Sequence, residues 1–319
     1  MLKFNLGRGG DPTGPRDVNA PRPQELLSLT GSDLYEMIRG LPDTLTEVTE
    51  ITTEAFVTLG PRAYRVDLAD GTAVKARRFG SVQTARQVEV LLRALGTEHF
   101  PTVLGRRNTA LLLEWIPGEA IERGAIRSDT LRQCGAIMGR IHSAPLPDDF
   151  REIASWTPAH YASALHTKLQ RLRDANLLSI SEADRLAALA SSHIPEVSTI
   201  SIIHRDFCGE NLVVDSQGRV WVIDNTSLAV GSTEFDLART WYRWPLRKEE
   251  RAVFLEAYAS RHPLAKIENS FPFWVVAAIV GSAAYRLQRG NLNLDMPAAG
   301  LRRLLDEGDR ITPMSGGLA

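Results

Sequence analysis

The sequence predicts an α+β chain in two parts, a small antiparallel sheet with one helix followed by a larger, mainly helical half. The first observation is the run "EAFVTLGPRAYRVDLADGTAVKARRF", Glu54 to Phe79, which alternates apolar with polar residues and turns at Asp70-Gly71, as a hairpin does. The second is that the chain after Pro117-Gly118 reads as helical on both sides of a short hairpin, "NLVVDSQGRVWVID". The third is size: 319 residues with 44% hydrophobic content suit two domains or lobes with a substantial core.

Residues 1–23 hold four Gly and four Pro and few large apolar residues, so a flexible N-terminal arm is expected there. Gln24 to Leu41 carries Leu26, Leu27, Leu29, Leu34, Met37 and Ile38, compatible with one or two short helices broken near Gly31. Ser81 suits an N-cap for a helix reaching Leu95, with Val82, Ala85, Val88, Leu91 and Leu92 on one face. "ALLLEWIPGE" reads as a buried strand stopped by Pro117-Gly118, which sets the expected boundary between an N-terminal domain, residues 24–117, and a C-terminal domain, residues 118–311. A helical stretch from about Thr233 to Arg310 and a frayed tail, residues 312–319, complete the chain.

Composition excludes several classes. With 37 Lys+Arg against 38 Asp+Glu the net charge is −1, which argues against a nucleic-acid or anionic-membrane partner held by phosphate charge. Only two cysteines occur, Cys134 and Cys208, too few for a disulfide framework and suited to a reducing compartment, the cytoplasm by default. Residues 1–20 lack the apolar core of a signal peptide. The most apolar run, Phe271 to Tyr285, contains Pro272 and falls short of the ~20 residues that span a bilayer, so it is expected to be a buried helix.

The chemistry concentrates in "HRDFCGEN", His204 to Asn211, followed by "VWVID" ending at Asp224. Asp206 and Asn211 have the spacing of the kinase catalytic loop H-R-D-x-x-x-x-N, and Asp224 closes a strand after the turn Asp215-Ser216-Gln217-Gly218. Phosphoryl transfer needs two metal ligands near the phosphates and a carboxylate beside the attacking hydroxyl, and this loop-hairpin-strand unit contains all three.

On these residues the chain resembles the aminoglycoside phosphotransferase-like, small-molecule-kinase branch of the protein-kinase-like superfamily. That branch usually carries His-Gly-Asp where this chain has Arg205. It also replaces the long activation loop of protein kinases by a short segment ending in Asp-Leu-Ala, here Asp236-Leu237-Ala238 in "IDNTSLAVGSTEFDLART". "AIMGRIHSAPLP" is similar to the family helix ending in Ile-His-Ser. The resemblance implies a bilobal kinase-like fold that moves the γ-phosphate of ATP, or another NTP, with Mg²⁺, to a hydroxyl of a metabolite or antibiotic. Asp206 would be the catalytic base and Asn211 and Asp224 the metal ligands.

By the same resemblance Lys75 in "TAVKARRF" would contact the α- and β-phosphates, and Glu89, the only acid between Ser81 and Leu95, would be its ion-pair partner. "LLLEWIPG" would be the hinge, with Leu113 as gatekeeper and the backbone of Glu114 and Ile116 meeting adenine. The phosphate-covering loop is reduced to Gly60 in "TLGPRAYRV", which leaves more of the phosphate charge to Lys75 and the metal. A nucleotide-binding pseudokinase or scaffold is the alternative, disfavoured because Lys75, Asp206, Asn211 and Asp224 are all present. A protein kinase is disfavoured by the short segment after Asp224.

Cys208 is expected to fill space, His142 and His204 to be structural, and Asp236 to anchor the catalytic loop. Trp241, Tyr242, Trp244, Phe273 and Trp274 suit either the core or a stack on a ring-bearing acceptor. Between Trp241 and Arg310 eleven Lys/Arg face eight Asp/Glu, a balance of 11 − 8 = +3. A polycationic acceptor calls for the opposite sign, so a neutral or acidic hydroxylated small molecule is expected in preference to aminoglycosides.

Overall fold

The computed structural model of the protein describes residues 23–52, 61–121, 126–150, 157–264, 267–290 and 294–314. The N-terminal arm, residues 53–60 of the first strand run with Gly60, and the last five residues lie outside them. The chain divides between Pro117 and Gly118 into two compact units.

The first unit contains α1 (Pro23–Thr30), α2 (Ser32–Arg39), β1 (Leu45–Glu50), β2 (Arg62–Leu68), β3 (Ala73–Arg78), α3 (Val82–Leu95), β4 (Val103–Arg107) and β5 (Ala110–Glu114). Its strands form one antiparallel sheet in the order β1-β2-β3-β5-β4. Gly31 separates the two short helices by adopting φ +79°, a conformation that disfavours side-chain-bearing residues. Leu26, Leu34 and Ile38 then pack on one sheet face against Tyr64, Val66, Leu68, Val74, Ala76, Ala110 and Leu112. The Tyr64 hydroxyl ties this layer together by donating to the Leu29 carbonyl at 2.6 Å.

The two-residue period of a strand places Lys75 on the opposite face from Val74 and Ala76, in register with Leu113 of β5. Helix α3 packs against β4 and β5 and buries Ala85, Val88, Leu91, Leu92 and Leu95. Its N-terminus is capped by Ser81, whose hydroxyl accepts from the Thr84 N–H at 3.1 Å. Strands β1 and β4 went unpredicted. Both lie on sheet edges and bury no residue fully, so neither carries the apolar alternation that announces a strand.

The second unit contains β6 (Glu119–Ala120), α4 (Ser128–Ser143), α5 (Pro158–Asp174), α6 (Ile180–Ser191), β7 (Ile200–Ile203), β8 (Leu212–Val214), β9 (Val220–Val222) and β10 (Ala229–Ser232), followed by four helices. These are α7 (Thr233–Arg243), α8 (Lys248–Ala259), α9 (Phe271–Gln288) and α10 (Asp295–Glu307). Strands β6, β8 and β9 form one small antiparallel sheet, and β7 pairs with β10 in another. Helix α9 is long and apolar enough to cross a membrane but is the core of this unit, with Phe271, Phe273, Trp274, Val275, Val276 and Ile279 fully buried.

Helices α4 and α8 approach closely because Gly135 and Gly139 present no side chains. A Cβ at Gly139 would lie 2.8 Å from the Tyr258 carbonyl, and one at Gly135 would fall on the Phe254 carbonyl. Backbone cannot yield as a flexible side chain can, so Gly135→Val is expected to destabilise the protein by about 3 kcal/mol, the upper range for overpacking. Urea denaturation would measure it. An unchanged midpoint would mean that the two helices can separate freely.

Candidate active site

The residues from His204 to Asn211 connect β7 to β8, and the loop is held from outside by one buried carboxylate. Asp236, in the first turn of α7, is fully buried. Its Oδ2 accepts the His204 N–H and its Oδ1 the Arg205 N–H, both at 2.7 Å. His142, at the end of α4, adds Nε2 at 3.1 Å to Asp236 Oδ2, and its Nδ1 meets the buried Tyr258 hydroxyl at 2.8 Å. Burial alone would raise the Asp236 pKa, but the His142 bond and the neighbouring histidine and backbone donors outweigh it and hold the carboxyl below its ordinary range. His204 is also fully buried, and desolvation pushes its pKa down, so it is a neutral structural ring at neutral pH.

Arg205 takes φ +62°, the left-handed region that a non-glycine residue enters at a cost of about 1–2 kcal/mol. Three bonds over-determine it: the Asp236 carboxylate on its N–H, Nε of Arg239 on its carbonyl, and its own Nε on the Ser227 carbonyl at 2.8 Å. A family that usually has glycine here meets the same backbone demand without strain.

Asp206 follows, with its side chain 28% exposed. Asn211 Nδ2 donates to Asp206 Oδ2 at 3.0 Å and to the Asp206 carbonyl at 2.7 Å. Arg243 Nε donates to Oδ1 at 2.9 Å, and Arg239 Nη2 lies 3.6 Å from the same oxygen. Burial would raise the Asp206 pKa, yet the charges of Arg243 and Arg239 and the Arg243 hydrogen bond hold it below the usual carboxylate range. The group is therefore ionised at neutral pH and able to receive a proton.

Asn211 ends a single helical turn, Gly209–Asn211, and its carbonyl accepts the Ile223 N–H at 3.0 Å. That backbone bond continues the β8–β9 ladder and sets Ile223, the residue before Asp224, opposite Asn211. Because Nδ2 is engaged by Asp206, Oδ1 is the atom Asn211 retains for a cation. Thr226 donates its hydroxyl to Asp224 Oδ1 at 2.8 Å, orienting that carboxylate. One amide oxygen and one carboxylate suit Mg²⁺, which prefers oxygen ligands and completes its shell with water and phosphate. Among the described residues no group of three or more His, Cys, Asp or Glu could hold a metal.

The hairpin turn is stabilised by Asp215, which accepts from the N–H groups of Gln217 and Arg219 and from the Trp221 indole. Cys208 is buried and its thiol is pushed up to about 12, mainly by desolvation, so it is no nucleophile. Trp241, Trp244, Phe273 and Trp274 are core residues, each at most 5% exposed. Stacking of these rings on an acceptor is thereby ruled out. Tyr242 is likewise buried, at 1% exposed, while Tyr285, at the end of the apolar run of α9, is 51% exposed.

In the first unit the residues expected to meet the nucleotide divide. Lys75 lies mid-strand on β3. The Glu89 carboxylate is held by Arg106 of β4 at 2.6 Å and by Arg93, one turn along α3, at 3.1 Å. Two guanidiniums from adjacent elements hold it, a pairing that a search for the nearest acid in the helix could not reveal. The Glu114 N–H is committed to the Thr102 carbonyl at 2.9 Å, and its side chain accepts from the Thr102 hydroxyl at 2.7 Å. Any contact of Glu114 with a base would fall to its carbonyl.

Sequence reasoning missed Arg239 and Arg243 as site residues. The signal was available, because Asp236, Arg239 and Arg243 recur at i, i+3 and i+7 and so line one face of α7.

The model of the phosphotransferase enzyme family matches residues 56–267. No curated protein matches the sequence. Among solved structures, an ethanolamine kinase of Plasmodium vivax is similar over 91% of this chain and 94% of its own, with TM-score 0.64 and 13% identity. A macrolide 2'-phosphotransferase from Brachybacterium faecium gives TM-score 0.61 and 18% identity over 87% of this chain and 98% of its own. A spectinomycin phosphotransferase solved with ADP and spectinomycin gives 0.59 and 15% over 89% and 94%. These identities speak for a shared kinase-like fold, while the match to the family model covers about two thirds of the sequence. With an ionised aspartate, an asparagine and a second aspartate gathered by one loop and one hairpin, the chain belongs to the phosphotransferase enzyme family and is a phosphotransferase with an alcohol group as acceptor.

Proposed function

We propose that the protein transfers the γ-phosphate of ATP, with Mg²⁺, to a hydroxyl of a small molecule. The observation that carries this reading is the joining of Asp206 to Asn211 by the amide, and of Asn211 to the strand of Asp224 by the Ile223 backbone bond. Asp206 accepts the hydroxyl proton and aims the oxygen. Asn211 Oδ1 and Asp224 would hold a metal ion, which when bound would supply positive charge to the phosphates. Lys75 engages the α- and β-phosphates, and Glu114, through its carbonyl, and Ile116 meet the base. Glu89 supports this region through its ion pairs with Arg93 and Arg106. A non-catalytic nucleotide-binding scaffold is the poorer reading because Asp206, Asn211 and Asp224 are all present and connected. The unpaired, buried Cys134 and Cys208 support a reducing compartment such as the cytoplasm.

The acceptor is proposed to be neutral or anionic. Two guanidiniums stand at Asp206 Oδ1, and Glu210 is the further acid that meets Arg243, at 3.5 Å. An ammonium group near the reacting hydroxyl would have to compete with those guanidiniums for carboxylates they already engage. Coupled measurement of Mg²⁺-ATP turnover across neutral polyols, hydroxy acids, amino alcohols and kanamycin-type polyamines tests both statements. A kcat/KM at least about 10-fold higher for the first two groups is expected, equivalent to about 1.4 kcal/mol. A polyamine turned over with a micromolar KM would overturn the acceptor assignment, and absence of Mg²⁺-ATP turnover with every acceptor would overturn the reaction.

A further inference from the structure

We propose that Arg243 is a positioning residue for the catalytic base, fixing the plane and direction of the Asp206 carboxylate. The proposal rests on the assignment of Asp206 as base. A free aspartate turns easily about its last side-chain torsion, which has a broad profile with no steep wells. Here each oxygen is held by a different donor: Arg243 Nε on Oδ1 at 2.9 Å and Asn211 Nδ2 on Oδ2 at 3.0 Å. Donors on both oxygens define the carboxylate plane. Each oxygen still keeps a second lone pair for the incoming hydroxyl.

Arg243 is itself immobilised. Its side chain is 13% exposed, and Nη2 lies 3.5 Å from Glu210 Oε2 and 3.8 Å from Cys208 Sγ. Its Nη1 rests 3.8 Å from Met296 Sδ in α10. The buried Cys208, inert as a thiol, thus forms part of the wall against which the guanidinium is packed. Arg239 differs: its Nη2 is 3.6 Å from Oδ1, beyond hydrogen-bond range, and its Nε serves the Arg205 carbonyl.

Helix α7 is therefore a single rigid ruler for the loop. From one face, Asp236 sets the backbone at His204 and Arg205, and two turns later Arg243 sets the side chain of Asp206. Displacements of about 1 Å at a reacting group can cost about 10²-fold in rate, so a ruler of this kind has a kinetic consequence. Lysine cannot reproduce it, because an ammonium lacks the fixed planar geometry of the guanidinium Nε–H.

The test is a steady-state comparison of the wild-type chain with Arg243→Gln, Arg243→Lys, Arg239→Gln, Asp206→Asn and the double variant Asp206→Asn/Arg243→Gln. Mg²⁺-ATP turnover is read with water and with the best acceptor. Arg243→Gln is expected to lower kcat by about 10²-fold with KM for ATP changed less than about 3-fold, since only positioning of the base is lost. Arg243→Lys should recover part of the loss, and Arg239→Gln should cost less than about 10-fold. In the double variant the loss should hardly exceed that of Asp206→Asn alone, because Arg243 acts through Asp206. A structural role would not produce that non-additivity. If Arg243→Gln does not fold, Arg243→Lys and its double variant with Asp206→Asn carry the same comparison. Unchanged or raised kcat in the Arg243 variants, or losses that add fully to that of Asp206→Asn, would overturn the proposal alone. A wild-type chain without any Mg²⁺-ATP turnover would overturn the assigned reaction and the proposal with it.

Discussion

Asp206→Asn is expected to lower kcat by roughly 10²- to 10⁴-fold, the range for losing a general base. The substitution keeps the size of the side chain and one oxygen for the Arg243 or Asn211 donor. It removes the negative charge that receives the hydroxyl proton and that two guanidiniums face. Nucleotide affinity should survive, since the residues assigned to the nucleotide lie elsewhere in the chain. Equilibrium binding of ATP and initial rates on one preparation separate the two quantities. Parallel collapse of ATP affinity and rate would move Asp206 from base to metal ligand or folding determinant.

Asp224→Ala is expected to reduce Mg²⁺-dependent turnover by roughly 10³-fold or more, because the metal would lose its charged protein ligand. Asn211 Oδ1 alone is a neutral donor and cannot replace it. ATP binding in the absence of metal should change little. Raising Mg²⁺ should recover a fraction of the activity, as a weakened site fills by mass action. Near-normal activity at ordinary Mg²⁺ would remove Asp224 from the metal site. The Thr226 hydroxyl loses its acceptor in this variant, a partly buried bond worth about 1 kcal/mol, so the fold should persist.

What could be read from the linear chain was local. Asp70-Gly71 and Ser81 act through bonds to residues two or three positions away, and the turn and the helix cap are found where they were expected. Gly31 breaks α1 from α2 by its own φ. The spacing of Asp206, Asn211 and Asp224 was equally legible, since a tight loop and a hairpin determine their neighbourhood within nineteen residues. Elements that depend on a distant partner were not legible. Strand β10, Ala229–Ser232, reads as a connector until it pairs with Ile200–Ile203 of β7. The partner of Glu89 depended on β4 folding its Arg106 against α3.

The sequence by itself determined the two-part α+β division and the loop-hairpin unit of Asp206, Asn211 and Asp224, because these rest on short-range periodicity and turn residues, and its motif residues carried the resemblance to the family. The tertiary structure alone decided which groups meet across long separations. It sent Trp241, Trp244, Phe273 and Trp274 into the core, gave Glu89 to arginines, and placed Arg243 against Asp206, thirty-seven residues away. The reason is physical. A hydrophobic period or a turn residue specifies an element's inward face. Which charges then meet depends on the packing of several such faces at once, and burial makes their pairing strong.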